Sequence, residues 1–325
     1  MMLNALAHFL LTTALLQIVP IDALDFERRV LATEDRVPVS VYNAFSFSSD
    51  AHLPMAKDVD RAPKKQQMNS IGVITSAVSA LVVDRTSGEV LFQKNINEPR
   101  SIGSITKLMT AHVFLQSGVS LDEKVSLLSD DLRYGGVQHL SLGDTYSIQD
   151  ILYASLVSSD NTATAALARL SNLSSGDFVA RMNEEAAEIG MEHTQFVDPT
   201  GLSSKNLSVV SDLAKLIDES AKNELIQKIT QTHTISIIGS SGRSYGLENT
   251  DELLTSFVNE PPYKIETAKT GYLPEAGYCL SALFSNEGKR EIIVVVLGSD
   301  SDAGRFQDVK ALASWAYDTF EWQTT

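Results

Sequence analysis

Strand-like runs lie at both ends of the folded part of this chain, and helical patterns fill the space between them. Residues 77–83 and 89–93 are two such runs, joined by a turn through Arg85-Thr86-Ser87-Gly88. Three more come near the far end, at 265–270, 278–284 and 291–297, the last two linked by the hairpin composition Asn286-Glu287-Gly288-Lys289. Between them a helix is expected from Ser104 to a stop at Gly118. Ser147-Ile148-Gln149-Asp150 reads as a capping box opening a helix with Ile148, Ile151, Leu152 and Leu156 on one face. Helix resumes at 163–170 after a break at 158–161. Phe178, Met182, Ala186 and Ile189 mark another helix, ended by Gly190, and Ser211 caps a further one through Leu213, Leu216 and Ile217. A helix over 306–320 follows the last strand. A sheet drawn from distant halves of a chain must close around whatever lies between. The expected fold class is therefore α/β of the α+β kind: an antiparallel sheet flanked by helices, with an inserted all-helical lobe and a site between lobe and sheet.

A chain of 325 residues, 43% of them hydrophobic, can bury a large core. Its formal charge of -15 argues against nucleic acid and against a polybasic membrane-surface protein. With one cysteine, Cys279, no intramolecular disulfide can form. Six histidines show no metal-ligand spacing, and no metal or cofactor is expected. Residues 3–19 are apolar and leucine-rich, followed by Pro20 and the small-residue position Ile21-Asp22-Ala23. Residues 1–23 read as a signal peptide, or as an N-terminal anchor if uncleaved, although no Lys or Arg precedes the apolar run. Residues 24–70, with Pro38, Pro54, Pro63 and Lys64-Lys65-Gln66-Gln67, read as a poorly structured linker in which 39–47 could add a short strand. Residues 71–325 form the folded domain.

The chemistry rests on three short motifs in order. Ser104-Ile105-Thr106-Lys107 is the one Ser-x-x-Lys in the chain, and one helical turn sets its hydroxyl beside its amine. An amine with a depressed pKa can take the hydroxyl proton and activate a serine. Ser159-Asp160-Asn161 lies in the helix break, and Lys269-Thr270-Gly271 on a strand. Each motif is weak alone; Ser204-Lys205-Asn206 also fits the second pattern. Lys107 sits among Ile105, Leu108 and Met109, which favours burial over a solvated lysine. Cys279 reads as a small buried residue, His112 as a core or rim residue, and Asp300-Ser301-Asp302 lacks the rest of a calcium loop.

The trio occurs in penicillin-binding proteins and class A β-lactamases. The stretches 101–111, 198–204 and 269–272, with Ala276-Gly277-Tyr278, resemble the serine D-alanyl-D-alanine carboxypeptidases, the low-molecular-weight penicillin-binding proteins. Because the chain stops soon after the last helix, the likeness is to the shorter D-Ala-D-Ala endopeptidase branch. The resemblance implies a β-lactamase/transpeptidase-like fold and a peptidase acting on peptidoglycan stem peptides ending in D-Ala-D-Ala. It implies β-lactams as covalent inhibitors and a periplasmic or other extracytoplasmic location, with membrane association only through an uncleaved N-terminus. It further implies Ser104 as nucleophile, Lys107 as general base with Lys269 as the cation that helps depress it, and Ser159 as proton relay. Asn161, Lys269, Thr270, Gly271 and Tyr272 would bind substrate, and the backbone N–H groups of Ser104 and Tyr272 would form an oxyanion hole.

Two rivals remain at this level. A class A-like β-lactamase needs a deacylating glutamate in an E-x-x-L-N loop, and the corresponding region reads Phe196-Val197-Asp198-Pro199-Thr200-Gly201. A catalytically weak peptidoglycan-binding module would show erosion of Ser104, Lys107 or Lys269, and all three are intact. Carboxypeptidase is the leading expectation, with endopeptidase cleavage of cross-links as the alternative.

Overall fold

Both ends of the folded region enter one sheet. The computed structural model describes residues 62–136 and 138–323, all within the unit Asp58–Thr325. The signal segment 1–23, the strand expected at 39–47 and the linker up to residue 61 lie outside the described residues. Five strands, β1 (Ser79–Asp84), β2 (Val90–Lys94), β3 (Tyr263–Leu273), β4 (Gly277–Asn286) and β5 (Glu291–Ser299), form the sheet in the order β3-β4-β5-β1-β2. Every neighbouring pair is antiparallel.

Both faces of this sheet are covered, which explains why Ile292-Ile293-Val294-Val295-Val296-Leu297 is apolar without alternation. Leu81, Leu283, Ile293, Val295 and Leu297 face the larger core, shared with the inserted helices. Ala80, Val82, Leu280, Ala282, Val294 and Val296 face the other, under the C-terminal helix. The period of two along each strand sorts the side chains between the cores.

Seven α-helices are present among the described residues: α1 (Thr106–Gln116), α2 (Ile148–Leu156), α3 (Asn161–Leu170), α4 (Ser175–Glu188), α5 (Val210–Ala221), α6 (Glu224–Thr230) and α7 (Asp302–Thr319). The expected capping box is formed: Ser147 Oγ accepts from Asp150 N at 3.0 Å, and Ser147 N donates to Asp150 Oδ2 at 3.0 Å. Ser211 is not a cap. Helix α5 begins one residue before it, from Val209 with no side-chain cap. Burial of Val209 and Val210 sets that start, while Asp212 in the first turn accepts from His193 N and Thr194 Oγ1.

Two further differences concern the margins. Helix α6 and a two-stranded ribbon, Thr234–Ile238 paired with Ser244–Glu248, fill a region where no element was expected. Lys64–Lys65 pairs with Phe320–Glu321, and Trp315 Nε1 donates to Ser70 Oγ at 2.7 Å. Residues 64–70, expected within the linker, thus contact the C-terminal helix.

Helix α1 lies at the centre. Thr106 through Ala111, Val113 and Phe114 are all buried, so it has no solvated face of any width. A lysine at its second position is therefore carried into the core by the helix itself.

Candidate active site

A turn of 3-10 helix, Gly103–Ile105, leads into α1 and places Ser104 at the mouth of a cleft between the helical lobe and edge strand β3. The cleft measures about 740 Å³ and is lined by Ser104, Ser159, Asn161, Thr270, Gly271 and Tyr272, among others. The turn is wedged tightly. Gly103 has φ +52, and a Cβ there would lie 2.7 Å from Tyr272 N. A Cβ on Gly271 would lie 2.3 Å from the Ile102 carbonyl oxygen. Two backbones approach here more closely than any side chain would allow. The backbone of the Ser104 turn and that of Tyr272 therefore meet at one junction.

The motif residues converge on two buried amines. Lys107 Nζ lies 2.8 Å from Ser104 Oγ, 2.6 Å from Asn161 Oδ1 and 2.6 Å from the Thr200 carbonyl oxygen. Asn161 and Thr200 only accept at those atoms, so each takes one N–H. A neutral amine then has its lone pair left for Ser104, and the hydroxyl donates to it. That is the polarity a general base needs. Lys107 is fully buried, and burial pushes its pKa down to about 7, against the opposing charges of Asp198 and Asp160. Lys269 also lies well below its ordinary value, through burial first and then repulsion by Lys107 and Arg305. Lys269 is not among the causes at Lys107, where burial does the lowering; the repulsion between the two amines falls on Lys269, which does not act as the expected cation.

Lys269 Nζ donates to Ser159 Oγ at 3.1 Å, from a backbone at Ser159 held at φ +60. Left-handed geometry at a serine is uncommon, and here it aims the hydroxyl into the cleft. Asp160 explains why the break exists. It caps α3 through Ala163 N at 2.9 Å and holds the 139–140 loop through His139 N at 2.7 Å. Asn161 Nδ2 donates to the Gly135 carbonyl at 2.7 Å, which fixes which way the amide points. Thr270 Oγ1 meets Thr250 Oγ1 at 2.6 Å. Tyr272 is half-exposed at the rim and stacks on Tyr278 with centroids 4.4 Å apart. All eight motif residues are thus brought to one cleft.

The look-alike motif resolves into structure. Asn206 is fully buried and donates to Thr106 Oγ1 and the Asp198 carbonyl. Cys279 is buried, with its thiol pushed up to about 11 by desolvation. His112 pairs with Glu185 at 2.8 Å, away from the cleft. Asp300-Ser301-Asp302 serves α7, Ser301 Oγ accepting from Gly304 N at 3.0 Å. Sequence reasoning passed over Thr250, Asp251 and Arg305. Arg305 is buried and donates from Nη1 to the Gly271 carbonyl at 3.2 Å. No spacing in the chain ties these residues to the motifs.

The Asp198 carboxylate is fully engaged. It accepts from Thr200 N, Thr200 Oγ1 and Gly201 N on one oxygen and Ser203 N on the other, at 2.5 to 3.0 Å. These bonds aim the Thr200 carbonyl at Lys107. Gly201, at φ +84, would place a Cβ 2.1 Å from the Gly103 oxygen and 3.0 Å from Ser104 N. Gly201→Ala is expected to cost about 2 kcal/mol or more, and to slow reaction at Ser104 at least tenfold, because both strain and backbone displacement act there. Thermal unfolding and a serine-acylation rate measured together would check this; an Ala variant with native values of both contradicts the wedge.

Two lysines with depressed pKa values also make a stability statement. Between about pH 7 and the ordinary lysine value of 10.5, the unfolded chain binds a proton at Lys107 that the folded chain does not. Unfolding free energy is expected to rise from pH 7.5 to 9.5, by about 2–3 kcal/mol through Lys107. Lys269 contributes with the same sign. Denaturant melts at the two pH values read it, and a flat or falling stability would count against a neutral Lys107.

Comparison with known proteins adds four observations. The family described as D-alanyl-D-alanine carboxypeptidase matches residues 64–301. A D-alanyl-D-alanine endopeptidase from Pseudomonas aeruginosa is 34% identical over 266 residues, 81% of this chain and 84% of that protein. The Streptomyces K15 DD-transpeptidase superposes with a TM-score of 0.70 at 28% identity, over 77% of this chain and all of that one. Penicillin-binding protein D2 from Listeria monocytogenes, in its ampicillin-bound form, gives 0.66 at 28% identity, over 76% of this chain and all of that one.

Proposed function

The chain belongs to the serine D-alanyl-D-alanine carboxypeptidase family, and from that membership we propose a mechanism in which Ser104 forms an acyl-enzyme with the peptidoglycan stem peptide. It is a serine-type D-Ala-D-Ala peptide hydrolase, and its substrate places it outside the cytoplasmic membrane. The observation that carries the mechanism is the 2.8 Å contact between Ser104 Oγ and a buried Lys107 whose other two partners are pure acceptors.

Neutral Lys107 takes the Ser104 proton as Oγ attacks the carbonyl between the two D-alanines. The oxyanion is held by the N–H groups of Ser104 and Tyr272. Ser159, bonded to Lys269, passes a proton to the departing amine. Lys269 and Thr270 receive the terminal carboxylate, Asn161 the peptide backbone, and Gly271 leaves room for the substrate to lie along β3. Hydrolysis of the ester then releases the shortened stem peptide.

Carboxypeptidase activity is the leading reading, resting on the family's description. The endopeptidase alternative is favoured by the relative from Pseudomonas aeruginosa, which matches over most of both chains. Incubation with a pentapeptide and with a cross-linked muropeptide dimer separates them: free D-alanine from the first, or monomers from the second. Neither product would refute both.

A β-lactam would acylate Ser104 in the same way. Asp198 is committed to holding its own loop, and residues 196–206 contain no glutamate to activate water on the ester. Benzylpenicillin is expected to leave an adduct that persists for minutes or longer, detectable by intact mass. Rapid penicillin turnover without an adduct would favour the β-lactamase alternative.

Residues 1–23 are assigned by the same reading to export, 24–70 to a linker and 71–325 to the peptidase domain, with Lys64–Lys65 already paired to the latter. Among the described residues, no helix is long and apolar enough to cross a membrane.

A further inference from the structure

Arg305 reaches the cleft from outside the three motifs, and its placement calls for a reason. It stands in the first turn of α7, where the helix dipole opposes a positive charge. It is also 7% exposed, and a buried charge is costly unless it is paired and hydrogen-bonded. Its partners offset that cost. Asp302 Oδ1 lies 2.5 Å from Nη2, and the Gly271 carbonyl accepts from Nη1 at 3.2 Å. The guanidinium lies over the Phe306 and Tyr278 rings, 4.7 and 5.6 Å from their centroids. Nε is buried and donates to nothing, so Arg305 acts through its terminal nitrogens and its flat face.

The contact with Gly271 is the informative one. The Gly271 carbonyl and the N–H of Tyr272 belong to one peptide unit. That unit is trans and planar, so a donor holding the carbonyl oxygen on one side aims the N–H to the other. A charged donor also draws electron density onto the oxygen and strengthens the N–H of the same amide. Tyr272 N is the atom that a Cβ on Gly103 would meet at 2.7 Å, so this nitrogen lies against the turn that carries Ser104. Tyr272 is braced a second time by the same arginine. Its ring stacks on Tyr278 with centroids 4.4 Å apart, and Tyr278 lies against the guanidinium.

We propose that Arg305 is a positioning residue of the oxyanion hole: it grips the Gly271–Tyr272 peptide by its carbonyl and so sets the direction and donor strength of the Tyr272 N–H. The proposal rests on the reading of Ser104 as an acylated nucleophile and of Tyr272 N–H as an oxyanion donor. Negative charge gathers on the reacting carbonyl oxygen only as Ser104 attacks. A stronger, better-aimed N–H therefore favours the transition state over the bound ligand, and its loss falls on rate rather than affinity. Arg305 also lines the cleft, so a direct contact with a ligand carboxylate is the rival to be separated.

The test uses Arg305→Met, which keeps an apolar stem against Tyr278 and Phe306 but has no charge and no donor. Acylation is followed with benzylpenicillin, which carries the carboxylate, and with its methyl ester, which does not. The limiting acylation rate should fall roughly tenfold for both compounds, less than the loss when an oxyanion donor is removed outright. The half-saturating concentrations should stay within about twofold. The second readout is the infrared stretch of the isotope-labelled ester carbonyl in the acyl-enzyme. In the wild type it should lie at lower frequency than in the denatured adduct, and in Arg305→Met it should return toward the denatured value. An unmoved band overturns the proposal, as does a loss confined to benzylpenicillin and to its half-saturating concentration, which would make Arg305 a direct carboxylate ligand. Should Arg305→Met fail to fold, Arg305→Gln removes the charge alone, and its band must move in the same direction. A wild-type protein that does not acylate would instead refute the Ser104 reading, and a wild-type band equal in native and denatured adducts would refute the oxyanion hole.

Discussion

Ser104→Ala is expected to abolish covalent labelling by a fluorescent penicillin and to lower D-alanyl bond hydrolysis at least ~10⁴-fold. The reason is that no other nucleophile is placed to substitute. Ser159 Oγ is bonded to Lys269 rather than to the base. Cys279 is fully buried, with a thiol raised to about 11. The methyl left behind fills the same turn, so the fold should be kept and Tm should stay near that of the wild type. A labelled band that survives Ser104→Ala would falsify the assignment of the nucleophile, whatever became of the overall activity.

Lys107→Met is expected to lower the acylation rate roughly 10³-fold, in the range that a positioned general base supplies. Methionine keeps the length and apolar stem but cannot take a proton. Its effect on stability should be small by comparison. It leaves Asn161 Oδ1 and the Thr200 carbonyl without their donor, at about 1–3 kcal/mol each, but it also removes the cost of burying an amine. The wild-type profile carries the matching signature. Acylation should increase with pH through about 7, as Lys107 loses its proton, and this acidic limb should be missing from the residual activity of Lys107→Met. A variant that keeps both the rate and the limb would remove Lys107 from the chemistry.

Much of the site could be read from the chain because it is built from short-range relations. Ser104 and Lys107 are one helical turn apart, so the contact at 2.8 Å follows from helix geometry once α1 forms. Lys269-Thr270-Gly271 needs only an extended strand. The capping box at Ser147 and the hairpin at 286–289 are local in the same sense. The misses were also physical in origin. Ser211 was favoured as a cap by residue type, yet burial of Val209 and Val210 decided the helix start. The ribbon at 234–248 has Ile235, Ile237, Tyr245 and Leu247 in alternation, and that pattern could have revealed it. Thr250 and Arg305 carry no such signal, since they reach the site only through tertiary contacts, at Thr270 Oγ1 and at the Gly271 carbonyl.

The sequence by itself determined that a sheet is assembled from the two ends of the folded region, that a helical lobe is inserted, and that three motifs meet between them. Periodicity and spacing are properties of neighbours, and they survive without knowledge of the rest of the chain. What Lys107 and Lys269 can do with their protons was decided only by the tertiary structure. Their pKa values come from desolvation first and then from charges brought close by folding: Asp198 and Asp160 at Lys107, Lys107 and Arg305 at Lys269. Burial is a property of the packed whole. No local pattern could state that two buried amines would come to one cleft, each beside a serine, or that burial would lower the pKa of both.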